Sequence, residues 1–467
     1  MLPHIIGGKP IESSESYPVV DPSTGREFDR APECSAEQLD NAMHEAQNAF
    51  GSWARDADAR RAAMTQFANA IEGERDALID VLIKETGKPR ALAATEPDTC
   101  AAWLRYYAEV EIPRVRMKDD ADERIDVVHR PLGVVAAITP WNFPLVLGMW
   151  KIAPALRAGN TVVLKPSPYT PLSSLLLGRI ANEVLPPGVL NVISGSDSVG
   201  RGMTAHPIPR KVTFTGSIAG GKNVAVSAAA DLKRVTLELG GNDAAIVLDD
   251  ADLARVAPAI LGTAFLNAGQ ACALPKRVFV PKHMYGEAVE AFAAIAETMA
   301  AGMSADPDRA FGPLSTRPQY ERVVGLLESA LTAGAKPAAG GKKADFGGGF
   351  FVEPTILTEV SDDMPVVGEE QFGPILPLLP YEDIDEAVAR ANNTMYGLAG
   401  SVWGTDLDRA ERVAERVEAG SVWVNNHAAF AMTVPFGGMK WSGIGLENGL
   451  GGLLEYTEQQ AIYVPKA

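Results

Sequence analysis

Cysteine is scarce in this chain. Its three cysteines, Cys34, Cys100 and Cys272, are too scattered for a disulfide framework or a Cys-x-x-Cys metal site, and they suit a reducing compartment. Histidine is nearly as rare, with six residues, no His-Glu-x-x-His and no paired His–Cys cluster, so no metal is expected. A Gly-x-Ser-x-Gly nucleophile elbow is also missing. Basic charge is short: 42 Lys and Arg against 59 Asp and Glu leave a net charge of −17. Such a field repels phosphate backbones and excludes nucleic-acid binding through a broad basic surface. No apolar run suits a membrane span. Val256–Pro275 and Ala419–Met439 carry no charge until Lys or Arg follows, yet Asn267, Gln270, Asn425, Asn426 and His427 interrupt them. The first residues, MLPHIIGGKP, lack the basic flank and apolar stretch of a secretory leader, and a cytoplasmic location is expected.

What is present describes a large globular chain. Its 467 residues suggest about three domains or lobes. Glycine (44) and proline (33) together make about 16%, against a usual ~12%, which implies many turns between many elements. From Ser35 to about Glu111, apolar residues recur every three or four positions, which predicts helices. Glu111–Gly133 breaks that rhythm with charge and alternation and reads as an exposed hairpin or arm. Short β-branched runs then alternate with amphipathic stretches. The runs are Val134–Thr139, Thr161–Pro166, Val189–Ser194, Lys211–Gly216 and Arg234–Leu239. A second set follows at Ala244–Leu248, Arg277–Pro281, Ile375–Tyr381, Gly400–Gly404 and Ser421–Asn426. Alternation at this spacing predicts right-handed crossovers on parallel sheets. Gly334–Phe350 is glycine-rich, without periodicity, and reads as a loop.

Two local motifs carry chemistry. GSIAGGK (Gly216–Lys222) has phosphate-loop spacing between a strand and a helix, but Asn223 stands where a nucleotide triphosphatase needs Ser or Thr. It still suits a turn whose backbone approaches a ligand, with a helix N-terminus that favours phosphate, or a plain tight turn. Cys272 lies in NAGQACALPKR, between a helix and a strand, flanked by small residues that leave the sulfur approachable. A thiolate is a strong nucleophile, whereas a lone buried cysteine is often only a small hydrophobe.

Seven motifs in order decide between these readings of Cys272: PWNFP (Pro140–Pro144), KPSP (Lys165–Pro168), FTGS (Phe214–Ser217), LELGG (Leu237–Gly241), GQAC (Gly269–Cys272), EEQFGP (Glu369–Pro374) and PFGGMKWSGIG (Pro435–Gly445). Through them the chain resembles the aldehyde dehydrogenase superfamily, of the NAD(P)-dependent hydrolytic type, over nearly its whole length. The resemblance implies that Cys272 forms a thiohemiacetal with the aldehyde and then a thioester. It implies an oxyanion hole from the Asn142 amide and the Cys272 backbone N–H, and Glu238 as the base that activates water. Lys151 and Glu447 match positions linked to a proton relay from that base. On the cofactor side it assigns Ile138, Trp141, Lys165, Ser167, Pro168, Gly216, Ser217, Glu370 and Phe372, with Lys165 on the adenosine ribose and Glu370 on the nicotinamide ribose. Phe143, Leu147, Trp150, Ala271 and Phe430 are expected to face the aldehyde's tail. That apolar, aromatic lining favours an aliphatic or aromatic aldehyde over one carrying a second carboxylate.

The pattern departs in three places. Pro168 stands where NAD-dependent members often have a glutamate, so NAD is expected and NADP stays admissible. Asn242 replaces a lysine after ELGG, without a firm functional account, and Leu446 replaces the arginine that often precedes Glu447. The implied fold is α/β, with two Rossmann-like parallel-sheet lobes and a β oligomerisation arm. Residues 1–111 and 134–240 would form the dinucleotide-binding domain, 241–450 the catalytic domain, and 112–133 with 451–467 the arm. An arm strand leaves an open edge, so a homodimer or homotetramer is expected. Two other readings compete: a member that passes its thioester to coenzyme A, which generally lacks the glutamate, and a non-catalytic binding protein on the same fold.

Overall fold

The computed structural model describes residues 1–301, 303 and 306–466. Helices Ala36–Trp53, Ala57–Gly73, Arg75–Thr86 and Thr95–Glu109 occupy the stretch where three-to-four-residue periodicity predicts them. Their ends follow local chemistry. The Ser35 hydroxyl accepts from the Gln38 N–H and the Gln38 side chain accepts from the Ser35 N–H, a reciprocal cap on the first helix. Gly87, in the left-handed region at φ 76°, terminates the third.

Two large sheets organise the rest. The first has eight strands in the order Gly443–Ile444, Arg234–Glu238, Lys211–Thr215, Val134–Ile138, Thr161–Lys165, Leu190–Val192, His4–Ile6 and Lys9–Ile11. Its five central members run parallel, as the crossover rhythm predicts, and their residues are almost all buried. The second is ordered Lys336–Ala339, Thr355–Thr358, Ile375–Tyr381, Pro275–Pro281, Asp243–Val247, Ala399–Trp403 and Ser421–Val424. It is parallel except at its first pair. Each sheet has its own apolar core. The molecule is α/β, as its sequence indicates.

A third sheet stands apart, pairing Thr457–Pro465 with Glu123–Pro131 and that strand with Val115–Asp119. Asp126 there is almost fully buried and receives Arg114 and Arg116, each at 2.7 Å. A two-stranded hairpin, Ser16–Asp21 with Arg26–Pro32, completes the set.

The structure corrects the sequence reading locally. Gly334–Phe350 is not entirely loop, because Lys336–Ala339 pairs antiparallel with Thr355–Thr358. One proline, Pro337, and a register shift hide that edge strand from any period-two pattern. The helix Arg317–Thr332 and the strands before Ala36 were not anticipated either. Gly443–Ile444, expected within the second lobe, pairs antiparallel with Leu237–Glu238 and so adds an edge to the first sheet.

Candidate active site

The carboxyl ends of the first sheet's strands face the second lobe, which is where ligands bind in open parallel sheets. A cavity of about 420 Å³ opens there. Pro140, Trp141 and Asn142 follow the Val134–Ile138 strand, Thr215 to Ser217 the next, and Glu238 to Gly240 the third; Cys272, Glu370 and Phe372 close it from the other lobe.

Cys272 is carried by a strained loop. Asn267 (φ 51°), Ala268 (φ 56°) and Gly269 (φ 77°) are three consecutive left-handed residues, two of them non-glycine, at about 1–3 kcal/mol each. The surrounding bonds hold that conformation in place. Asn267 Nδ2 donates to Asn142 O (3.2 Å) and Gln270 O (3.3 Å), Gln270 Nε2 donates to Asn267 O (2.8 Å), and Ser315 N donates to Gln270 Oε1 (2.8 Å). Lys276 Nζ donates to Gly269 O at 2.5 Å. Beside the loop, a Cβ on Gly241 would stand 2.5 Å from Cys272 O, so only glycine permits this approach.

Asn142 is 3% exposed; its Nδ2 donates to Gln270 O (3.0 Å) and its Oδ1 has no partner. Glu238, the last residue of its strand, is 2% exposed, and its carboxylate has no nitrogen or oxygen partner and meets only the Cys272 thiol. Burial, then the nearby Glu447 charge, push its pKa well above the carboxylate range. The Cys272 thiol is also pushed well up, first by burial and then by the negative charge of Glu238. Thiol and carboxyl therefore share one chamber, in which the Glu238 charge disfavours the thiolate while the thiol's hydrogen bond favours the carboxylate.

Behind Glu238 lies a buried triad. Lys151 Nζ donates to Glu447 Oε1 (2.5 Å) and to Thr215 Oγ1 (2.6 Å), and both charged side chains are at most 2% exposed. Glu447 N and O pair with Phe436 O and N, each at 2.7 Å, while Trp103 Nε1 donates to Asn448 Oδ1 (2.8 Å). Leu446, 38% exposed, takes no part in this triad.

The other expected residues divide into two groups. Trp141, Gly216, Ser217, Glu370, Phe372 and Leu147 line the cavity. Trp141 and Phe372 meet edge to face at 5.4 Å, and Glu370 Oε1 accepts from the Gly241 N–H at 3.0 Å. Ile138, Lys165, Ser167 and Pro168 lie outside that lining, at the carboxyl ends of neighbouring strands. Phe143, Trp150, Ala271 and Phe430 also lie outside it. The Phe143 ring carries the Lys88 ammonium 3.6 Å from its centre, and Lys88 is paired with buried Glu96. Trp150 and Phe430 meet in an aromatic cluster. Thr215, Gln319, Arg322 and Tyr396 also line the cavity and were not singled out from the sequence. Thr215 lies inside the FTGS motif, and Gln319 and Arg322 are three apart on one helix, a face that reads as surface without the fold.

Comparison with known proteins gives the family. The aldehyde dehydrogenase family model matches residues 10–462. An aldehyde dehydrogenase of a Fusarium species (LUC3) is 39% identical over 465 residues, covering 99% of this chain and 98% of that one. The structure of a Bacillus cereus aldehyde dehydrogenase in complex with NAD+ superposes with a TM-score of 0.95 at 35% identity, over 99% of this chain and 96% of the other. Betaine aldehyde dehydrogenase from Staphylococcus aureus, also in complex with NAD+, gives 0.94 at 32% identity, over 99% and 94%. The chain belongs to the aldehyde dehydrogenase family.

Proposed function

We propose that this enzyme oxidises an apolar aliphatic or aromatic aldehyde to its carboxylic acid with NAD, through a thioester on Cys272 that Glu238 hydrolyses. One observation carries the reading: a nucleophilic thiol and a buried carboxyl that face each other share a cavity with a buried amide.

The residues present fit a dinucleotide. Lys165 is 3% exposed and its ammonium donates to Pro166 O (3.1 Å), leaving two donors for ribose hydroxyls. Ser217 caps the Ile218–Ala229 helix, whose N-terminus lines the cavity and favours a pyrophosphate. Glu370 and Phe372 would hold the nicotinamide end. Pro168 adds no charge against a further phosphate, so NADP is admissible.

The Cys272 thiol proton passes to solvent in the open cavity, the sulfur bonds to the aldehyde carbon, and the carbonyl π electrons move onto oxygen. The second Asn142 amide hydrogen and the Cys272 N–H stabilise that oxyanion. The bound dinucleotide supplies an acceptor for the hydride that leaves the adduct carbon. On the resulting thioester, Glu238 takes a proton from water as the hydroxyl adds to the acyl carbon; the C–S bond then breaks, returning Cys272 and the acid. A raised pKa suits this base, because a more basic carboxylate takes the proton from water more readily. Lys151, Thr215 and Glu447 lie behind Glu238 to pass that proton outward.

Glu238 favours hydrolysis over acyl transfer to coenzyme A, and the intact trio of Cys272, Glu238 and Asn142 favours catalysis over binding alone. The exposed strand Thr457–Pro465 supports assembly into a dimer or tetramer. The test is a panel of aldehydes, hexanal and benzaldehyde included, against NAD and NADP. Nicotinamide reduction without added coenzyme A is expected. No reduction with either cofactor, or dependence on coenzyme A, would overturn the reading.

A further inference from the structure

We propose that His427 is a positioning residue for aldehyde binding, its buried bonds to Ser401 and Asp243 setting the segment that carries Phe430 against Trp150. This rests on the aldehyde-oxidising reading above and takes the Trp150–Phe430 cluster, which adjoins the cavity through Leu147 and lies outside its lining, as the wall that a long aldehyde's tail meets.

Between Val424 and Phe436 the chain has neither helix nor strand. Its far end is tied where Gly449 N donates to Met432 O (2.9 Å) and Phe436 pairs with Glu447. The near end turns twice through the left-handed region, at Asn425 (φ 53°) and Ala428 (φ 57°), neither of them glycine. Between those two residues His427 points inward, its side chain fully buried. One ring nitrogen, Nδ1, lies 2.9 Å from Ser401 Oγ, and Nε2 lies 3.3 Å from Asp243 Oδ2. Asp243 Oδ1 accepts from the Ala399 N–H (3.1 Å), so the imidazole bolts the segment to two adjacent strands of the second sheet.

The neighbours suit one arrangement of the protons. Trp403 Nε1 donates to Ser401 Oγ (2.8 Å), leaving the Ser401 hydroxyl to donate to His427 Nδ1. Nε2 then carries hydrogen and donates to Asp243. Phenylalanine would fill the same space and satisfy neither partner, whereas glutamine can offer an amide hydrogen to Asp243.

Three residues beyond His427, Phe430 meets Trp150 (5.7 Å), Trp423 (5.7 Å) and Phe436 (5.0 Å), all edge to face. Trp423 also packs on the His427 ring (5.2 Å) and its Nε1 donates to Ala429 O (3.3 Å). Trp150 stands one helical turn after Leu147, which lines the cavity. The imidazole is thus the fixed end of a short lever whose free end is an aromatic wall. A long aldehyde feels that wall. Acetaldehyde does not.

The experiment measures KM and kcat for acetaldehyde, hexanal and benzaldehyde, with NAD saturating, in the wild type, His427→Phe, His427→Gln and Ser401→Ala. His427→Phe should raise KM for hexanal and benzaldehyde about tenfold, the scale of a lost apolar contact, with kcat and the acetaldehyde KM unchanged. His427→Gln should restore most of the loss. Ser401→Ala should shift the same constants in the same direction, and it serves if His427→Phe does not fold. An equal change for all three aldehydes, a fall confined to kcat, or no change would overturn the proposal. Failure of the wild type on every aldehyde would instead overturn the reading beneath it, and the proposal with it.

Discussion

Glu238→Gln isolates the second half of the reaction. The substitution keeps the side-chain volume and an oxygen that can still accept from the Cys272 thiol; it removes a charge and a proton acceptor. A positioned general base contributes about 10²–10⁴ in rate, or about 2.7–5.4 kcal/mol of barrier. Thioester formation still has Cys272 and Asn142. Stopped-flow absorbance should therefore show a burst of about one reduced nicotinamide per subunit, then a steady rate lower by that factor. The wild-type steady rate should rise with pH above the ordinary carboxylate range, since burial and Glu447 raise the pKa of Glu238; the variant should lack that limb. Stability has its own sign. The penalty for ionising Glu238 in the folded state is absent below the unfolded pKa of about 4.3, and grows with pH until the folded pKa is passed. The variant should thus gain in melting temperature over the wild type as pH rises from about 4. An unchanged steady rate would remove Glu238 as the hydrolytic base, and a missing burst would move it to thiol activation; either refutes the reasoning.

Cys272→Ser should abolish dehydrogenation and leave NAD binding intact by calorimetry; retained turnover would mean another nucleophile. Glu447→Gln should move the acidic limb of the pH–rate profile to lower pH and Lys151→Met to higher pH, because the first removes a charge that raises the Glu238 pKa and the second one that lowers it. Each single change also breaks a buried ion pair, for about 3–5 kcal/mol, which thermal melts should show. Burial lowers the Lys165 pKa to about 8, so NAD affinity should weaken as pH rises through 8; fluorescence titration on both sides of that value checks it.

The parts of this fold legible from sequence are those whose burial is repetitive. Helices from Ala36 to Glu109 and the parallel strands bury regular faces, and their patterns show it. The edge strands do not: Lys336–Ala339 has two exposed residues and a register shift, and Gly443–Ile444 is only two residues long. At the site, Cys272, Glu238 and Asn142 stand inside contiguous motifs. Arg322 and Gln319 enter the cavity from a helix whose orientation only the packing of the second lobe sets. His427 is silent in sequence for the same reason, since Ser401 and Asp243 are 26 and 184 positions away.

The pairs that complete the chamber join distant parts of the chain. Lys151 and Glu447 are 296 positions apart, and Trp103 and Asn448 are 345 apart. During synthesis nearly every residue must leave the ribosome before Lys151 can meet its carboxylate, and closing so wide a loop is slow. Nascent or prematurely stopped chains would carry the thiol without its finished surroundings, so chemical competence arrives last, as the closing event of folding.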